Sequence, residues 1–104
     1  MADSGLDRLG ADHVSWLHVA ADNFLRQRQP DRATALLELA CLLAPDEPQS
    51  QKMLAYGYWL RGDHGRCAGA VAQALIRPLT APDRAAIETL QRRLESTNTH
   101  GERA

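Results

Sequence analysis

The chain is poor in the residues that build β-sheets and in aromatic side chains. Its 104 residues include one Phe, two Tyr and two Trp, and Val and Ile are few beside Ala and Leu. Because Ala and Leu favour helices whereas β-branched and aromatic residues favour strands, this composition predicts an all-α protein. A chain of this length has room for one domain with one core.

Cysteine is also scarce, and no motif for catalysis or metal binding occurs. Cys41 and Cys67 each fall in an Ala/Leu-rich run, at a spacing that fits neither a CxxC pair nor a metal site, so we expect small buried hydrophobic side chains. We find no HExxH, GxSxG, P-loop or GxGxxG pattern. The histidines, which we expect to be solvated, are His13, His18, His64 and His100. We therefore predict no enzyme activity, no catalytic residue, no cofactor and no metal site.

Long apolar runs and an excess of basic charge are missing as well. The longest apolar stretch, residues 36–44, is interrupted by Glu38 and is too short to span a bilayer. Residues 1–10 carry Asp3 and Asp7 and have no apolar centre, unlike a signal peptide. The net charge of −1 offers no basic surface for nucleic acid or anionic lipid. We expect a cytoplasmic protein with neither a nucleic-acid partner nor membrane insertion.

Prolines and glycines divide the chain into five predicted helices. Pro30, Pro48 and Pro78 lie at helix boundaries, and Gly62 is suited to a left-handed C-terminal cap. The predicted helices span residues 13–28, 31–43, 48–60, 64–76 and 82–95. We expect residues 1–11 to form a flexible lead-in, residues 12–95 a single helical domain and residues 96–104 a disordered tail.

An internal repeat of about 34 residues is the strongest signal in the sequence. Shifting the chain by this period aligns residues of the same size class at six positions. Small residues align where two antiparallel helices approach closely, and larger ones align beside them. The aligned pairs are Ala20/Leu54, Ala21/Ala55, Phe24/Tyr58, Ala33/Cys67, Leu37/Val71 and Ala40/Ala74. The alternative is a generic helical bundle whose Ala and Leu content imitates the repeat.

These positions resemble those of the tetratricopeptide repeat family over about residues 14–81. Besides the aligned pairs, Leu17 and Pro45 match the family pattern in the first copy, and the Gly62-Asp63 turn matches it in the second. Gln51 and Leu79 depart from the pattern. The resemblance implies antiparallel helix hairpins in two repeats, with the fifth helix as a C-terminal cap.

The resemblance also implies a concave groove that binds a protein segment. In this family the first helix of each pair lines the groove. The alignment with the repeat therefore assigns residues from the first, third and fifth helices to partner binding. The predicted groove residues are His18, Asp22, Leu25, Gln49, Lys52, Tyr56, Trp59 and Leu90. Aromatic anchors of this kind contribute much of the energy at an interface. In the alternative interpretation, Tyr56 and Trp59 pack on the fifth helix.

By size and repeat number, the chain is similar to small cytosolic chaperones of type III secretion systems, of the YscY type or the needle-subunit (YscG) type. This implies a chaperone that keeps a small helical export substrate or needle component soluble, in a hetero-oligomer, and that self-associates when alone. Residues 39–45 and 56–63 support the similarity. One alternative is a free-standing repeat adaptor that scaffolds another assembly. A small metal-dependent enzyme is the third hypothesis and would require bound metal.

Overall fold

The computed structural model describes residues 2–103 of the chain, with side chains described from residue 13 to residue 97. Within that range the chain forms five α-helices and no strand, which confirms the predicted all-α class. The helices are α1 (Ala2–Arg26), α2 (Pro30–Leu43), α3 (Pro48–Arg61), α4 (His64–Leu75) and α5 (Ala81–Arg103). The ends of α2, α3 and α4 agree with the predicted ends to about one residue, because proline and glycine fix them.

The two outer helices are longer than predicted. α1 begins at Ala2 instead of near His13, and α5 ends at Arg103 instead of near Glu95. Gly5 and Gly10 suggested a non-helical start, but each costs a helix only about 1 kcal/mol, and elongation of an existing helix can absorb that cost. The predicted flexibility of residues 1–11 and 96–104 stays a prediction. Met1 and Ala104 lie outside the described residues, and so do the side chains of residues 2–12 and 98–103.

The turn between α1 and α2 closes the first hairpin. The Gln29 N–H donates to the Phe24 carbonyl at 2.8 Å, and the Arg28 N–H donates to the Leu25 carbonyl at 3.2 Å. This paired arrangement is a Schellman motif, which requires a left-handed residue just after the helix. That residue is Arg28, with φ 60°, a conformation that costs a side-chain-bearing residue about 1 kcal/mol or more.

The turn between α3 and α4 repeats this geometry about 34 residues later. The Asp63 N–H donates to the Tyr58 carbonyl and the Gly62 N–H to the Trp59 carbonyl, both at 3.0 Å. Gly62, with φ 76°, occupies the left-handed position, as predicted. Asp63 then caps α4, because its carboxylate accepts from the Arg66 N–H at 3.3 Å. The α1–α2 and α3–α4 hairpins therefore have equivalent turns.

The core of each hairpin is built from small residues at equivalent positions. Ala21 and Ala55 have no exposed surface, and Leu37 and Val71 are buried beside them. The small side chains of the two alanines allow the two helices of a pair to pack closely. The remaining buried residues of the two pairs include Ala33, Ala40, Cys67 and Ala74.

Successive helices pack against one another, and alternate helices also touch. α2 packs on α3, α4 packs on α5, and both α1 and α5 contact α3. The connections between successive helices are two to five residues long, which is typical of antiparallel neighbours, so α1, α3 and α5 are expected to run in the same direction. The surface between these three helices contains the candidate site.

Candidate functional site

A groove of about 1000 Å³ lies across α1, α3 and α5. Its lining comes from these three helices and from the turn that follows α1, and includes no residue of α2 or α4. The lining residues are His18, Val19, Asp22, Asn23, Leu25, Arg26, Arg28, Gln49, Lys52, Met53, Tyr56, Leu60, Asp83, Ala86, Ile87, Thr89, Leu90 and Arg93. A cleft of this size can take a helical or extended segment of another protein.

The groove has a buried apolar floor and exposed apolar residues around it. Met53 from α3 and Ile87 from α5 are buried in the floor. Val19 is 63%, Tyr56 52% and Leu60 39% exposed. Exposed apolar side chains that line one concavity together are typical of a binding surface, whereas a scatter of single ones is ordinary.

Seven of the eight predicted groove residues line this groove, and Trp59 does not. Tyr56 is three residues before Trp59, so their side chains point about 60° apart around α3. That rotation turns Trp59 away from the groove and against the core, where it is half-buried and stacks on His64 with a centroid separation of 5.1 Å. The structure therefore places Trp59 outside this groove, and its ring partner is His64 of α4, whereas the alternative interpretation had it packing on the fifth helix.

His18 is half-buried in the groove, contrary to the expectation of a solvated histidine. Its Nε2 shares a 2.7 Å hydrogen bond with Ser50 Oγ, and Ser50 has no exposed surface. Burial lowers the pKa of His18 below its usual value, although Glu47 acts in the opposite direction. The neutral form of the histidine is therefore favoured, and it hydrogen-bonds a buried serine. This contact joins α1 to α3.

Both carboxylates of the groove are paired with cations. Lys52 Nζ lies 2.8 Å from Asp83 Oδ1 and joins α3 to α5. The Lys52 ammonium group holds the pKa of Asp83 below its usual value. On α1, Arg26 Nε lies 2.9 Å from Asp22 Oδ2. The negative charge of Asp22 is thus balanced by Arg26, one turn further along the same helix.

Sequence reasoning missed several apolar and charged residues of the groove. Met53 and Leu60 each follow a predicted groove residue by four positions, and Arg93 follows Leu90 by three, so helical spacing alone could have found them. Ile87, three residues before Leu90, follows from the same rule. Arg28 follows Leu25 by three and lies inside the predicted first helix, so the same rule points to it, although the structure places it in the turn after α1.

The two cysteines have different surroundings. Cys67 is fully buried between α3 and α4, and its thiol donates to the Ala55 carbonyl at 3.2 Å. Burial raises its pKa to about 11, so the thiol stays protonated at neutral pH. Cys41 is half-buried, and Gln51 Nε2 donates to its sulfur at 3.5 Å. The expected role of a small buried side chain is confirmed for Cys67.

The described residues contain no group of three His, Cys, Asp or Glu side chains placed to hold a metal ion. No helix within the described part of the chain has both the length and the apolar character needed to cross a bilayer. Comparisons with protein-family models, with curated proteins and with solved structures find no match to this chain. The site must therefore be interpreted from its own geometry.

Proposed function

We propose that this chain is a small tetratricopeptide-type protein whose groove holds a helical segment of a partner protein. The observation that carries the proposal is the groove across α1, α3 and α5, whose apolar residues Val19, Tyr56 and Leu60 remain exposed to solvent. Burying such side chains in a complex contributes about 25 cal/mol for each Å² of apolar surface removed from water. No catalytic step, cofactor or metal is part of the proposal.

The repeat supports this proposal independently of the groove. The sequence repeats with a period typical of tetratricopeptide proteins, and the two hairpins have equivalent turns at Arg28 and Gly62. Proteins of this type are solenoids of stacked hairpins, which bind partners on the face formed by the first helix of each pair. In this chain α1 and α3 are those helices, and α5 extends the same face.

We further propose that the partner is a small export substrate or needle component of a type III secretion system, held soluble in the cytosol. The support is the resemblance in size and repeat number described above, together with a groove open enough for one helix. Two hairpins and a cap provide a small core, and about three repeats are usual for stability. A partner that packs in the groove would add to that core.

Co-expression with candidate substrates tests the proposal. We expect a 1:1 complex with a needle subunit or another small helical export substrate, measured by light scattering after gel filtration. Tyr56→Glu and Leu60→Glu should each abolish the complex, because a carboxylate would be buried in the apolar part of the groove. Leu42→Glu is the matched control: Leu42 is 79% exposed and lies outside the groove, so its complex should persist.

Two results would contradict the chaperone proposal. The first is a complex that survives both groove substitutions, which would place the partner on another surface. The second is a chain that is a monodisperse monomer alone and forms no complex with any small export substrate. The second result would favour the adaptor alternative, in which the same groove serves a different assembly.

A further inference from the structure

Two arginines that line the groove form no ion pair with any acidic side chain that the structure describes. Arg28, in the turn after α1, and Arg93, on α5, are both exposed. Neither takes part in any of the four salt bridges among the described residues. Since both groove carboxylates are already paired with other cations, the lining carries an excess of two positive charges, although the whole chain has a net charge of −1.

The two arginines lie at the same end of the groove. The contact between His18 and Ser50 sets the level of α1 against α3, and the Lys52–Asp83 contact sets that of α5. Arg93 lies ten residues beyond Asp83, which is about 15 Å along α5. Arg28 lies in the turn just past the end of α1, which continues for eight residues, about 12 Å, beyond His18. The two polar contacts between helices are therefore at one end of the groove, and Arg28 and Arg93 are at the other, beyond the Asp22–Arg26 ion pair.

The backbone at Arg28 gives a second, independent reason to assign it a role. Its φ of 60° is strained for a side-chain-bearing residue, and the equivalent position of the second hairpin is Gly62, which adopts the same conformation without strain. Glycine would therefore make a better turn at residue 28. Strained backbone conformations of this kind cluster at functional sites.

The walls of the groove favour a helical occupant over an extended one. An added strand needs unpaired backbone N–H and C=O groups along an edge, and the interiors of α1, α3 and α5 use theirs within the helices. Met53, Tyr56 and Leu60 instead present apolar side chains at intervals of about one helical turn. An amphipathic helix carries a matching apolar stripe.

We propose that the groove binds an amphipathic helix with acidic side chains at the end that faces Arg28 and Arg93. This inference rests on the proposed groove function and specifies the partner's charge and where that charge lies. Exposed ion pairs of this kind contribute little individually, but they set orientation and select between partners of opposite charge. The acidic end fixes the direction in which the helix lies along the groove.

Three synthetic peptides of about 16 residues test the proposal. All share one Leu stripe at helical spacing with Gln elsewhere, and they differ only in the last turn, which holds Glu in one peptide, Lys in the second and Gln in the third. Binding to the full chain is measured by fluorescence anisotropy at low and high salt. We expect the Glu peptide to bind about tenfold more tightly than the Lys peptide at low salt. The difference should shrink at high salt.

Two variants and a control separate charge from folding. Arg28→Gly and Arg93→Gln should each weaken binding of the Glu peptide about twofold and leave binding of the Gln peptide unchanged. Arg28→Gly should also unfold at the same or a higher urea concentration, because glycine relieves the left-handed strain. Arg92→Gln removes the same charge at the adjacent residue, which does not line the groove although it donates to Thr89 Oγ1, and should leave binding of all three peptides unchanged.

The outcomes distinguish this inference from the proposed function. Equal affinity for the three peptides, or no effect of either arginine variant, would overturn the acidic-helix inference and leave groove binding intact. If no peptide binds and the Tyr56→Glu complex with an export substrate survives, the groove function itself is wrong. An oligouridine that binds more tightly than the Glu peptide and depends on the same arginines would replace the helix with nucleic acid. Lower stability of Arg28→Gly would show a structural role for that arginine and overturn its assignment.

Discussion

At the scale of single residues, Gly57 allows the second hairpin to lie close to the first. A Cβ atom at this position would lie 2.7 Å from the Thr34 methyl group. Thr34 is 1% exposed and cannot move easily: its hydroxyl donates to the Pro30 carbonyl at 2.9 Å and accepts from Arg61 Nη1 at 3.1 Å. Arg61 is held in turn by Asp31, with Nε and Oδ1 2.9 Å apart. The contact between hairpins depends on a missing side chain and on a hydrogen-bonded neighbour.

Gly57→Ala should therefore lower the free energy of unfolding by about 1–3 kcal/mol, the usual cost of overpacking a tight site. Gly69→Ala provides the control, because Gly69 lies in α4 and a Cβ there would meet nothing within 4 Å. That change should raise stability by about 0.5–1 kcal/mol through helix propensity alone. Urea unfolding followed by circular dichroism measures both. Similar shifts in the two variants would refute the close approach.

Individual side chains were harder to predict from the sequence than their helices. The repeat frame put Tyr56 and Trp59 together, because both are large aromatic residues on the helix assigned to the groove. Only the rotation of α3 about its axis separates them, and that rotation is set by tertiary contacts such as Gly57 against Thr34. The burial of His18 and the left-handed backbone of Arg28 were not predicted either. Both arise only when helices meet, so neither is visible in the sequence around the residue.

At the scale of secondary-structure elements, the inner helix ends could be predicted and the outer ones could not. Pro30, Pro48 and Gly62 act locally, through a missing N–H or a permitted left-handed conformation, so the sequence alone locates those ends. No such residue marks where α1 starts or α5 stops. Extension of a helix there depends on small differences in propensity, which a window of sequence resolves poorly.

The equivalence of the two hairpins makes a quantitative prediction about helix packing. Ala21 in α1 and Ala55 in α3 have no exposed surface and are related by the repeat. Ala21→Leu and Ala55→Leu should each cost about 1–3 kcal/mol in the free energy of unfolding, because the added methylenes force the helix pairs apart. Ala72→Leu, on an exposed position of α4, should be nearly neutral.

Thermal and urea unfolding of the three variants would check this prediction. A large cost at one of the two buried positions with tolerance at the other would mean that the hairpins differ in packing. The repeat of about 34 residues would then be present in the sequence but not in the packing of the core.

At the scale of the whole molecule, the open groove should make the isolated chain associate with itself. Tyr56 and Leu60 expose apolar surface in a concavity that another copy could cover, at least in part. We expect the molar mass measured by light scattering to rise with protein concentration. The double variant Tyr56→Glu, Leu60→Glu should remain a monomer over the same range. A wild-type chain that stays monomeric while it is helical by circular dichroism would contradict this expectation.

The central position of α3 has a consequence for how the chain folds and opens. Among the described residues α3 contacts all four other helices, whereas α1 contacts only α2 and, weakly, α3. Most of these contacts join helices adjacent in sequence, and proteins with such local contacts fold within microseconds to milliseconds. We expect backbone amides of α3 to exchange with solvent hydrogen slowest and those of α5 much sooner, because α5 packs only on α4 and, more weakly, on α3 and can detach from them. Detachment would remove one wall of the groove, so a bound helix would have a route of release that does not require global unfolding.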